Sequence, residues 1–68
     1  MRDINRIDPF MNEIAKIWKE KFPDYRFGQL MFVFLMRLGD PFYYEEEEFL
    51  AAFRAFAEGR DPKEAIGN

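Results

Sequence analysis

Residues 27–38 read FGQLMFVFLMRL, and the way this stretch is covered decides the fold of the whole chain. Its apolar side chains recur at three- and four-residue spacing and form one stripe: Phe27, Leu30, Met31, Phe34, Leu35 and Leu38. This spacing predicts a helix over 27–38, with Gly39 as its C-terminal stop. The alternative is a strand, because 32–34 is Phe-Val-Phe and these residue types favour sheets. The length of the stripe and the glycine stop favour the helix.

The other side of this helix is also apolar, because it carries Phe32, Val33 and Met36. A helix that is apolar all round belongs in an interior, and a chain of 68 residues has little else with which to cover it. Either residues 42–44 and the C-terminal turn wrap over this helix, or a second protein covers it. For the second case we expect an interface formed by these three side chains together with Tyr43 and Tyr44. Tyrosines suit such a place because each ring keeps a polar tip.

Two further helices flank this stretch in sequence. Apolar residues recur at helical spacing over 9–22, with charged residues between them. Four glutamates open a second pattern over 45–58, where carboxylates are favoured by the positive end of the helix dipole. A short helical turn is expected over 62–66. The predicted fold class is all-α, a compact three-helix domain with a short C-terminal helical turn, in one domain over 1–68.

Three Asp-Pro dipeptides are candidate helix starts, at 8–9, 40–41 and 61–62. An aspartate there accepts backbone N–H bonds as N-cap, and a proline in the first helical position loses only a donor that has no partner. Between the second and third helices, we expect residues 42–44 to form a short extended or turn segment whose rings fold onto the core.

The missing residue types exclude much chemistry, since the chain has no Cys, His, Ser or Thr. Disulfides, thiolate or imidazole metal sites and Ser, Thr or Cys nucleophiles are therefore excluded, which leaves Asp, Glu, Lys and Tyr as the residues on which any catalysis would have to rely. A chain this short also has little interior in which to form a pocket. We expect no enzyme activity, no cofactor and no metal.

The four glutamates at 45–48 do not change this expectation. Successive helix residues point about 100° apart, so adjacent carboxylates cannot converge on one ion. The run is interpreted either as an acidic docking patch or as a solvated helix start.

The charge balance bears on partners and location. The net charge is −3, which disfavours binding to a nucleic-acid backbone. Residues 1–38 carry +2 and residues 39–68 carry −5. We interpret these charges first as solvated surface, because exposed charges usually contribute little; the alternatives are that the two halves attract each other across the fold or that one face is acidic. The longest apolar run, residues 30–36, is far shorter than the roughly twenty residues of a membrane span. We expect a cytoplasmic protein with no membrane partner.

Arg26 lies between two aromatic residues, just before the apolar helix. Its guanidinium is suited to grip a phosphate or carboxylate ligand. It is equally suited to join two parts of the fold by pairing with Asp24 or with a glutamate of 45–48. We expect the second role, a structural ion pair, because an arginine in an apolar setting usually has a fixed partner.

Several motifs occur in an order that is similar to one known group. They are Arg6-Ile7, Trp18, the stretch PDYRFGQL at 23–30, and Phe42-Tyr43-Tyr44 followed by the glutamates of 45–48. This pattern resembles small uncharacterised bacterial and phage proteins with a Trp helix, a Pro-Asp-x-Arg-x-Gly-Gln-Leu stretch and an aromatic-acidic stretch. The resemblance implies a helical fold and a bacterial or phage origin, and it implies no activity and no site.

These observations lead to one main hypothesis and one alternative. The main hypothesis is a small acidic protein-interaction module that forms a homodimer or binds another protein through apolar and aromatic surface. The alternative is a small nucleic-acid-associated regulatory protein. That alternative requires a local basic face built from Lys16, Lys19, Arg26 and Arg37 despite the negative net charge.

Overall fold

The third helix of the chain lies at the centre of the fold and packs against each of the other helices. The computed structural model describes residues 1–66, so the last two residues of the predicted domain 1–68 lie outside the described residues. A 3₁₀ turn and four helices follow in order: Ile4–Arg6, α1 (Ile7–Lys21), α2 (Phe27–Leu38), α3 (Glu46–Ala57) and α4 (Pro62–Ile66). No strand occurs within 1–66, and the predicted all-α class with three helices and a short C-terminal helix is confirmed.

The central position of α3 depends on small side chains. Ala52 and Ala55 are completely buried, as is Phe53 between them. An alanine adds little bulk to a helix surface, so neighbouring backbone approaches closely there. Pro62, the first residue of α4, is also fully buried. The helical pattern of the sequence does not by itself show that these two alanines lie in the core.

Phe34 of α2 is the side chain around which the core rings gather. It is fully buried, and its ring centroid lies 5.0 Å from that of Phe53 and 5.2 Å from that of Phe49, both edge-on. Phe56 lies 5.3 Å from the same ring. Edge-to-face contacts at such distances stabilise a pair by about 0.5–1.5 kcal/mol beyond area burial. Rings from one face of α3 therefore hold α2 in place.

Trp18 fixes the connection between α1 and α2. Its indole N–H donates to the backbone carbonyl of Tyr25, at 3.0 Å between Nε1 and O. The indole ring also lies 5.6 Å from the ring of Phe27 at the start of α2. Phe27 remains half-exposed, so it is the least buried member of the predicted stripe.

The Asp-Pro dipeptides do not all start helices. The prediction for Asp61 is confirmed, because its Oδ1 accepts from the N–H of Lys63 at 3.0 Å. The prediction for Asp8 is wrong, because α1 already begins at Ile7, behind a 3₁₀ turn whose N-cap is Asp3. Pro9 still fits there, since the first turn of a helix has no use for its missing N–H.

Asp40 closes a turn instead of starting a helix. Its Oδ1 accepts from the N–H of Phe42 at 3.0 Å, so α3 begins only at Glu46. The expectation that the rings of 42–44 fold onto the core is wrong for two of the three. Phe42 is 76% exposed and Tyr43 is 87% exposed, and their rings contact each other at 4.8 Å. Only Tyr44 packs against the core.

Gly39 ends α2 in a backbone conformation that other residues avoid. Its φ is 95° and its ψ is −159°, a region that is essentially restricted to glycine. Gly28 lies in the first turn of the same helix, and its φ is not positive. Neither glycine has a heavy atom within 4 Å of the position that a Cβ would occupy.

We expect Gly39→Ala to lower the free energy of unfolding by about 1–3 kcal/mol, because the added Cβ strains the backbone. Gly28→Ala is the matched control, and it should raise the free energy of unfolding by about 0.5 kcal/mol through lower entropy of the unfolded chain. Urea denaturation followed by circular dichroism measures both. Equal stability of Gly39→Ala and the parent would contradict the assignment of strain to Gly39.

Candidate protein-interaction surface

The solvent side of α2 carries three apolar residues and one glutamine in a stripe, which we name the α2 outer face: Gln29, Phe32, Val33 and Met36. These positions follow i, i+3, i+4 and i+7 spacing, which places them on one side of the helix. Phe32 is 67% exposed, Met36 71% and Val33 38%. The opposite side of α2 carries Leu30, Phe34 and Leu38, and all three are buried. The helix is therefore apolar on both sides, and the rest of the described chain covers one of them.

An open groove borders the N-terminal part of the α2 outer face. It has a volume of about 450 Å³ and is lined by Asp24, Tyr25, Gln29, Phe32 and Val33. Apolar and aromatic side chains supply most of its surface, and Asp24 supplies a charge at the rim. A groove of this kind is suited to receive an apolar side chain of another molecule.

The predicted interface residues fall into three groups. Phe32, Val33 and Met36 share the α2 outer face. Tyr43 is the most exposed of the five and lies in the loop after α2, paired with Phe42. Tyr44 was predicted to belong to the interface, but its half-buried ring packs against the core. It precedes the N-terminus of α3, and that position turns its ring inward, away from the surface.

The structure corrects the predicted role of Arg26. Its side chain is exposed and forms no ion pair with any of residues 1–66. Arg26 occupies the N-cap position of α2, where its N–H donates to Oε1 of Gln29 at 2.9 Å. A cation at the positive end of a helix gains nothing from the helix dipole, and its guanidinium stays in solvent.

The glutamates of 45–48 contact the chain's own N-terminal segment. Glu45 pairs with Arg2, and Glu46 pairs with Nε of Arg6 at 2.9 Å. Glu48 caps α3, since its Oε1 accepts from the N–H of Glu45 at 2.8 Å. The run is therefore the capped first turn of α3, and two of its glutamates pair with residues 2–6 of the same chain. Within residues 1–66 no three carboxylates are grouped to hold a metal ion.

The two oppositely charged halves of the chain meet through these contacts. Arg54 adds a further contact, because its Nη2 lies 2.9 Å from Oε1 of Glu13. Attraction between the halves was one of the predicted alternatives, and the pairs of Arg2 with Glu45 and of Arg6 with Glu46 agree with it. The specific residues Arg2, Arg6 and Glu13 were missed. The uneven charge pointed toward Arg2 and Arg6 but not toward Glu13, which is an acidic residue of the net-positive half.

Beside these ion pairs lies a second groove of about 420 Å³. Phe10 and Leu50 form its apolar floor, and Arg6, Glu13 and Glu46 are among its charged walls. Each of those three charges already has a partner in the chain. Most of the charged side chains that line this second groove are therefore already paired within the chain, whereas no other part of the described chain covers the α2 outer face.

Within the described residues, no helix combines the length and the apolar character that crossing a membrane requires. Comparisons of the chain with protein-family models, with curated proteins and with solved structures find no match. The interpretation of function therefore depends on the surfaces described above.

The pair between Arg2 and Glu45 has a measurable signature. The hydrogen bond from Arg2 lowers the pKa of the Glu45 carboxyl, and the same contact raises the pKa of Arg2. A carboxyl whose pKa is lowered by folding contributes stability above its unfolded pKa. That contribution is lost as the pH falls through the folded pKa.

We expect Arg2→Ala to raise the pKa of Glu45 toward its ordinary value, because the charged hydrogen bond is removed. Arg60→Ala is the control, since Arg60 pairs with Glu58 and not with the 45–48 run. Carboxyl carbon shifts in an NMR titration measure both variants. A Glu45 pKa that is unchanged in Arg2→Ala would show that Arg2 does not pair with Glu45 in solution.

Proposed function

We propose that this chain is a small acidic protein-interaction module that acts in the cytoplasm through the α2 outer face. Its partner is a second copy of the chain, in a homodimer, or another protein. The observation that carries the proposal is the exposure of Phe32 and Met36, each about two-thirds accessible on one stripe of one helix. Single exposed apolar residues are common on proteins, but a contiguous apolar stripe typically marks an interaction site.

The surroundings of the stripe support the same proposal. Only one residue of α2 is charged, namely Arg37, and the groove beside the stripe presents Tyr25 and Phe32. Aromatic residues and methionine are enriched at protein interfaces, whereas charged residues are depleted from interface centres. The composition of the α2 outer face therefore fits the centre of an interface.

The distribution of basic residues gives no comparable support to nucleic-acid binding. Four arginines are paired with glutamates, which reduces their attraction for phosphate: Arg2, Arg6, Arg54 and Arg60. Arg26 and Arg37 lie at opposite ends of α2, about 16 Å apart along the helix at its usual rise. Protein binding through the α2 outer face is thus the function that the surface favours.

We expect a photo-cross-linking residue placed at Phe32 to form protein adducts in the native cell. The same residue at Asn12, which is exposed on α1, should form none. Adding Met36→Glu to the Phe32 variant should reduce the adducts strongly, because a carboxylate in the stripe must be desolvated on binding. Gel electrophoresis and mass spectrometry identify the adducts. No adduct from position 32, or equal adducts from position 12, would overturn the proposed function.

A further inference from the structure

We draw no further inference here: the strongest candidate, the stripe of Phe32, Val33 and Met36 on the solvent side of α2 together with the groove beside it, is an apolar face for which nothing in residues 1–66 shows what covers it.

Discussion

The edge-on contact between Phe34 and Phe53 is the interaction on which the rest of the structure depends. It joins α2 to the central helix, and both rings are completely buried. Phe49 and Phe56 extend the contact along α3. Because α2 is held from one side only, its other side stays in solvent. The same contact therefore produces both the core and the α2 outer face.

A second constraint is electrostatic and acts at the surface. The N-terminal segment carries Arg2 and Arg6, and these side chains bind Glu45 and Glu46 at the start of α3. Exposed ion pairs typically contribute about 0–1 kcal/mol each, so the aromatic core contributes far more to stability. The ion pairs instead determine where residues 2–6 lie. They also give the glutamate run a partner inside the chain. The α2 outer face, in contrast, is an extended surface that no other part of residues 1–66 covers.

Local sequence signals predicted the elements well and the surfaces less well. Both ends of α2 were predicted correctly, because the apolar stripe and the glycine that follows it are local features of the sequence. The start of α1 was placed two residues late, since the stronger N-cap, Asp3, precedes a 3₁₀ turn that periodicity does not reveal. The prediction of an ion pair for Arg26 was wrong, because an ion pair depends on which residues the fold brings close together. The prediction that the rings of Phe42 and Tyr43 fold onto the core was wrong for the same reason.

By itself, the sequence determined that the chain is helical, that one helix is apolar on every side, and that its two halves carry opposite net charge. These are consequences of spacing, composition and charge, which need no knowledge of the fold. Only the tertiary structure decided that Phe34 faces α3 while Phe32 and Met36 face solvent. It also decided that Ala52 and Ala55 lie in the core and that Arg2 and Arg6 meet the glutamates. The physical reason is that periodicity defines the sides of a helix, whereas packing against the other helices selects which side is buried.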